Sequence, residues 1–232
     1  MSELNEGLKY LSGFISDHKL KYINEVLEFR IRHLSVILED IHKSHNASAV
    51  IRTCDAVRVQ DLHIIENHSK FKINQYVTRG SSQWVNLYRY NYSEVENTVV
   101  CYEKLKAEGY KICATTPSSE GKLLEELDLL DLNDKIALSF GNEFSGLSPY
   151  ALERADLLVK IPMFGFTKSY NISVTAALCL YVLVQKLHKS EKKWQITEEE
   201  KEEIKLTWYK KIVKRSDIHT RFFLSKNPYK LL

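Results

Sequence analysis

The chain has 232 residues, 44% of them apolar and 27% charged, a balance that excludes disorder as the main state and supplies one sizeable core with extensions. Its net charge of +3 is unevenly spread: residues 186–232 carry 13 Lys and Arg against 7 Asp and Glu, and the remainder is acidic on balance. The longest apolar run, Ile172 to Val184, is broken by Ser173 and Thr175 and falls short of the ~20 residues of a membrane span, so no membrane partner is expected. The first residues lack a signal-peptide layout and Cys54, Cys101, Cys113 and Cys179 form no regular framework, which gives a reducing, cytoplasmic location as the expectation.

In chain order, Leu8 to Arg30 has helical apolar spacing (Leu20, Ile23, Val26, Leu27) and reads as one or two amphipathic helices. Leu34 to Glu39 is a strand, Asn46 opens a helix through Ala49, Val50, Cys54 and Val57, and Leu62 to Glu66 is the next strand. Trp84 to Tyr90 alternates as a strand, Ser93 to Glu108 is a helix stopped by Gly109, and Tyr110 to Thr115 is a strand. Lys135 to Phe140 is an apolar strand running into Gly141-Asn-Glu-Phe-Ser-Gly146, and Ser148-Pro149 starts a short helix. A strand from Leu157 to Ile161, a loop from Met163 to Tyr170, the apolar helix Asn171 to Lys189 and a charged helical tail from Glu198 complete the series. The alternation predicts an α/β fold with a mostly parallel sheet covered by helices on both faces and ligands beyond the carboxyl ends of its strands. The expected division is an amino-terminal helical extension (1–33), a central domain (34–189) and a basic carboxyl-terminal helical extension (190–232).

Neither G-x-G-x-x-G nor G-x-x-x-x-G-K-[ST] occurs, so a dinucleotide fingerprint and a P-loop are unsupported, and His42 with His45 lacks metal-ligand spacing, so no metal is expected. The loops instead offer Asn46, Arg52, Glu143, Ser169 and Asn171. Four of them have a plainer reading: an ion pair of Arg52 with Asp55 or Asp40, helix caps for Asn46 and Asn171, a loop hydrogen bond for Glu143. In the tail, Lys205, Lys210, Lys211, Lys214, Arg215, Arg221, Lys226 and Lys230 are mixed with Trp208, Tyr209, Phe222, Phe223 and Tyr229. That mixture suits phosphate neutralisation with base stacking, but composition alone favours a solvated helix packing its aromatics inward, since charge runs are usually solvated faces.

Three segments carry a resemblance. His45-Asn-Ala-Ser-Ala-Val-Ile-Arg-Thr-Cys-Asp-Ala56, Leu138-Ser-Phe-Gly-Asn-Glu-Phe-Ser-Gly-Leu147 and Ile161-Pro-Met-Phe-Gly-Phe-Thr-Lys-Ser-Tyr-Asn-Ile-Ser-Val174 resemble, in order and spacing, the three motifs of the SpoU/TrmH branch of the SPOUT RNA methyltransferases. The resemblance implies a carboxyl-terminal trefoil knot, an exception to the unknotted rule. It also implies S-adenosylmethionine as cofactor, held by the backbone around Thr115, Gly141, Ile161, Met163 and Tyr170. The implied reaction is 2′-O-methylation of an RNA ribose, with Arg52 as the catalytic residue, Asn46 orienting it or the ribose, and Glu143, Ser169 and Asn171 completing the site. Helical extensions of this kind resemble those of tRNA-modifying members, making the D-loop guanosine at position 18 of tRNA the expected target. Ribosomal RNA, another tRNA nucleotide and a non-catalytic RNA-binding role are the alternatives. A homodimer packed through the apolar helix from Ile172 and the helix after Ser148 is implied too. In that context Arg30, Arg32, Lys168, Lys210, Lys211, Lys214 and Arg215 become the expected RNA contacts. The chain departs from the family pattern at Ser48, where glycine is frequent, at Tyr170 and at Lys168.

Overall fold

The structure, a computed structural model, describes residues 3–118, 120–127, 135–191 and 193–226. Residues 31–194 form one compact unit, and the residues up to Arg30 together with those from Gln195 form another.

In the larger unit, strands β1 (Ile31–Glu39), β2 (Val59–Ile65), β3 (Asn86–Tyr90), β4 (Tyr110–Thr115), β5 (Lys122–Leu123), β6 (Lys135–Phe140) and β7 (Leu157–Lys160) make a seven-stranded sheet. Its order is β3-β2-β1-β6-β4-β7-β5 and every ladder is parallel. Parallel strands need long crossovers, and these hold α3 (Ser44–Ala56), α4 (Gln75–Thr78), α5 (Asn97–Ala107) and α6 (Pro149–Arg154), while α7 (Ile172–Lys189) follows β7 and packs back on the sheet. Both faces of the sheet are therefore covered, which is why β2 is buried at every position and reads as a continuous run rather than an alternation. Val50, Ile51 and Cys54 of α3 meet Ala176, Cys179, Leu180 and Leu183 of α7 in the core on one face, with Leu34, Val36 and Leu38 of β1. On the other face Cys101, Tyr102 and Leu105 of α5 and Ala151 of α6 pack with Ile37 and Ala137. All four cysteines are free and buried, and burial pushes the thiols of Cys113 and Cys179 up to about 12.

Several boundaries differ from the sequence reading for local reasons. β1 starts at Ile31, whose amide donates to Arg58 O at 2.9 Å, with a bulge between Ile31 and Ser35. Trp84 closes the short 3₁₀ turn Ser81–Gln83 instead of opening β3. α5 starts at Asn97, not Ser93, because Asn97 Oδ1 takes the Tyr92 amide, Asn67 Oδ1 takes the Asn97 amide, and Glu94 is left-handed (φ 62°). At α6 and α7 the expected caps are present: Ser148 Oγ accepts from the Ala151 amide and Asn171 Oδ1 from the Ser173 amide.

The smaller unit holds α1 (Glu3–Ser12), α2 (Asp17–Leu27), α8 (Glu198–Ile212) and α9 (Ser216–Lys226), so the two terminal segments, read from sequence as separate extensions, share one body. A capping box of Thr197 and Glu200 starts α8. Trp208, Tyr209 and Phe223 are buried and Phe222 is half exposed. Arg30 is a correction: it is 1% exposed, with its guanidinium 5.1 Å from the Trp208 ring centre, and it packs where a phosphate contact was expected. Tyr229, Lys230 and the side chain of Lys226 lie outside the described residues.

One buried carboxylate ties the larger unit together at the carboxyl end of β1. Glu39 accepts from Thr98 Oγ1 at 2.6 Å, from the Ser148 amide at 2.8 Å and from Ser148 Oγ at 2.8 Å, so β1 is joined to the starts of α5 and α6. Glu39→Ala strands these three donors and should lower unfolding free energy by about 2–3 kcal/mol in a urea titration.

Candidate active site

The chain leaves β1 through Asp40, which is left-handed (φ 50°) and whose Oδ1 takes the amides of His68 and Ser69 at 2.8 and 3.0 Å. It then enters α3, whose N-cap residue Lys43 makes no side-chain cap bond. Glu143, from the loop after β6, fills that role from outside the helix: its Oε2 accepts the His42 amide at 3.1 Å and its Oε1 the Lys43 amide at 3.3 Å. Asn46, in the first turn of α3 and 6% exposed, donates Nδ2 to the same Oε1 at 2.6 Å. Its Oδ1 in turn takes Asn171 Nδ2 at 3.3 Å, while Asn171 Oδ1 caps α7 through the Ser173 amide at 2.9 Å and Ser173 Oγ at 2.7 Å. A single hydrogen-bonded line therefore joins the starts of α3 and α7 to the loop after β6. Asn46 is thus a connector inside the first turn, not the helix cap that its position suggests, whereas Asn171 is both cap and connector.

Desolvation pushes the Glu143 carboxyl upward, but the bonds from Asn46 and from the amides of Glu143, His42 and Lys43 outweigh it and hold its pKa below the ordinary glutamate value. Glu143 is an anchored carboxylate at neutral pH, with both oxygens engaged in hydrogen bonds. The loop carrying it is closed by reciprocal Asn142–Gly146 backbone bonds of 3.0 and 3.1 Å, and Asn142 Oδ1 takes the amides of Phe144 and Ser145 at 2.9 Å each. Gly141 starts the turn, and a Cβ there would lie 2.0 Å from the Gly146 carbonyl carbon, so no other residue fits without moving the loop.

A cavity of about 610 Å³ opens beside this loop at the carboxyl ends of β4, β6 and β7. It is lined by Asn46, Glu143, Ser169 and Asn171 of the expected catalytic set, by all five expected cofactor residues, Thr115, Gly141, Ile161, Met163 and Tyr170, and by Lys168. Arg52 is not brought to it: this side chain is exposed, about 9 Å further along α3 than Asn46 and about 120° round the helix. Arg32 is a second correction to the RNA-facing set, because its Nε lies 3.3 Å from Asp61 Oδ2 and its side chain is only 20% exposed. Lys211, Lys214 and Arg215 are exposed and Lys210 is partly so. Sequence reasoning missed Asn142, Phe144 and Lys43 in the lining. For Asn142 the signal was there, an Asn two residues before the Phe144 amide and four before Gly146, the pattern of an Asx turn. Ser48 has its own explanation: its Oγ accepts the Asn74 amide at 2.9 Å. Among the described residues no group of three or more His, Cys, Asp and Glu is placed to hold a metal ion, and no helix is long and apolar enough to cross a membrane.

A parallel α/β sheet with a polar cavity beyond adjacent strand ends, built from three loops in a fixed order, defines the architecture of a small-ligand-binding α/β protein. Residues 33–181 match the model of the SpoU rRNA Methylase family, and the chain belongs to that family. It is 44% identical over 204 residues to the tRNA (guanosine(18)-2′-O)-methyltransferase of Borreliella burgdorferi, covering 88% of this chain and 90% of that one. The enzyme of the same name from Aquifex aeolicus is 37% identical over 168 residues, 72% of this chain and 76% of that one. The crystal structure of the A. aeolicus TrmH/SpoU tRNA modifying enzyme superposes with a TM-score of 0.75 at 34% identity, covering 85% of this chain and 98% of that one.

The depressed carboxyl of Glu143 links stability to pH. A group whose folded pKa lies below its unfolded value of about 4.3 stabilises the fold above that pH and loses the contribution as pH falls through the folded value. Wild type should therefore lose stability relative to Glu143→Gln as pH falls below about 4.3 and not above it, and urea titrations of both proteins from neutrality into that acid range read the difference.

Proposed function

We propose that this chain transfers a methyl group from S-adenosylmethionine to the 2′-hydroxyl of guanosine 18 in the D-loop of tRNA. The observation that carries the reading is the Glu143–Asn46–Asn171 line at the mouth of a cavity, in a family whose relatives of similar length bear that activity in their names. The cavity fits the cofactor: its volume lies in the range of small-molecule sites, backbone of three loops converges on it, and its lining mixes Leu147, Val159 and Met163 with polar groups. S-adenosylmethionine, when bound, supplies a methyl already activated on a sulfonium, so the protein's task is to position and deprotonate the hydroxyl.

The residues divide that task. Glu143 and Asn171 fix the Asn46 amide, leaving it rigid at the cavity mouth to orient the ribose. Ser169 and Lys168 line the same mouth. Arg52 acts on the reacting nucleotide as a charged group, because a guanidinium with a pKa above ~12 does not surrender its proton. It holds the neighbouring phosphate and stabilises the alkoxide that forms as the hydroxyl proton leaves to water or phosphate.

Arg52 and the cavity come together in a homodimer. Val174, Leu178 and Tyr181 form an exposed apolar stripe on α7, 44%, 39% and 62% exposed, next to α3, whose exposed face carries Arg52. An apolar stripe of this kind on the helix that closes the cavity suits a second copy of the chain, which would place Arg52 of one protomer against the cavity of the other. The knot belongs to the proposal as well, supported by β6 and β4 lying inside the strand order while β5, between them in sequence, lies at the edge. A reducing, cytoplasmic location suits the four buried free thiols.

The reading is tested with unmodified tRNA transcripts and labelled S-adenosylmethionine: label should enter a transcript with guanosine at position 18 and not one with adenosine there. Label entering both equally would reject guanosine 18 as the target. Arg52→Ala should reduce transfer at least 100-fold while calorimetry shows cofactor affinity within about twofold of wild type. For RNA affinity, truncation after Lys205 would remove the core residue Trp208, so neutralising the exposed Lys214, Arg215 and Arg221 is the cleaner change. If these hold phosphates, each loss should flatten the slope of log affinity against log salt by roughly 0.7–0.9, read from a salt titration of tRNA binding.

A further inference from the structure

Phe144 follows the anchored Glu143 directly and is 77% exposed, yet its surroundings hold it still. Its amide is bonded to Asn142 Oδ1 at 2.9 Å inside a turn closed by the Asn142–Gly146 pair. Its ring meets the His42 ring edge to face, with centres 5.5 Å apart and planes at 89°. His42 is itself fixed at both ends, its amide donating to Glu143 Oε2 at 3.1 Å and its Nδ1 lying 2.8 Å from Ser69 Oγ. A large apolar ring is thus presented to water at the mouth of the cavity, on a stiff turn and one residue from the carboxylate that orients Asn46. Nothing in the core is gained by that placement, since Phe144 belongs to neither packed cluster.

We propose that Phe144, braced by His42, is the platform on which the base of the methylated nucleotide stacks. The inference rests on the functional reading above and adds the group that grips the base. A ribose whose 2′-hydroxyl points at the Asn46 amide carries its base on the adjacent sugar carbon, so the base must lie beside the cavity mouth, where Phe144 is. To reach the site that base has to leave the stack it occupies in the folded RNA, and an aromatic face waiting outside recovers part of the lost stacking. The ring is held in advance, so little side-chain freedom is lost on binding. Lys43, which also lines the cavity, supplies a cation on the same rim for the backbone of that nucleotide.

The test compares wild type with Phe144→Ala, Phe144→Leu and Phe144→Tyr on two transcripts, one with the normal target nucleotide and one with a ribose lacking its base at that position. On the normal transcript, Ala and Leu should weaken equilibrium binding and kcat/KM about tenfold to a hundredfold, the size of one lost base–aromatic stack, and Tyr should stay near wild type. On the transcript without the base all four proteins should bind alike. Calorimetric affinity for S-adenosylmethionine and the sedimentation coefficient should not change. Unaltered binding by Phe144→Ala, a loss that persists without the base, retention by Phe144→Leu, or a parallel loss of cofactor affinity or of a dimer would each overturn the proposal, the last two by assigning the ring to the cofactor or to a second copy. A wild-type chain that methylates no tRNA ribose would instead overturn the functional reading, and the platform with it.

Discussion

The site depends on a carboxylate seated at the start of a helix. Glu143 comes from the loop after β6, some hundred residues further along the chain than α3, yet it accepts the two amides at the entry to α3 and the side chain of Asn46 within it. Hydrogen bonds to the ionised form more than offset the desolvation of the carboxyl, so the charge is stable where it sits. Because Asn46 uses its other end on Asn171, the same charge fixes the start of α7. Three loops that meet only in the folded chain acquire one common reference point. The arrangement makes Glu143 a positioning group: its ionised form is held by the His42 and Lys43 amides and by Asn46.

The sheet explains why the loops meet. With the order β3-β2-β1-β6-β4-β7-β5, strands β1, β6, β4 and β7 are consecutive neighbours and all run the same way, so their carboxyl ends open onto one edge. Each end turns sharply there by a different device. Asp40 adopts a left-handed backbone and takes two amides of the neighbouring loop, Gly141 lets the chain pass within the space a side chain would fill, and beyond β7 the loop 161–170 leads to Asn171, which caps α7. The cavity is the space these turns leave, and the buried Glu39 behind it fixes the starts of α5 and α6 to β1.

Much of this was legible from residues alone. The strand Tyr110–Thr115 and the cap at Ser148 follow from apolar runs and turn chemistry, and the cavity lining gathers nearly every residue that the three motifs single out. What escaped is what depends on distant partners. Asn46 looks like a cap because asparagine before an apolar periodic run usually is one, and only the arrival of Glu143 from another loop makes it a connector. Arg30 and Arg32 look like RNA contacts because charge near a terminus is usually solvated, but Arg30 lies against Trp208 and Arg32 pairs with Asp61. The two-residue strand β5 is too short to show any period, and the union of both chain ends in one helical unit has no local signal. Arg52 is the reverse case: the motif names it, and the fold of one chain leaves it on an exposed helix face outside the cavity.

If Glu143 and Asn46 act as one unit, their contributions to catalysis cannot be independent. The most direct measurement is a double-mutant cycle of Glu143→Ala and Asn46→Ala read as kcat/KM for ribose methylation of tRNA. A shared anchor predicts that the double variant is no worse than the poorer single one, because removing either partner already releases the other. Losses that multiply, each substitution costing the same in the presence and absence of the second, would contradict it and show that the two side chains serve the site separately.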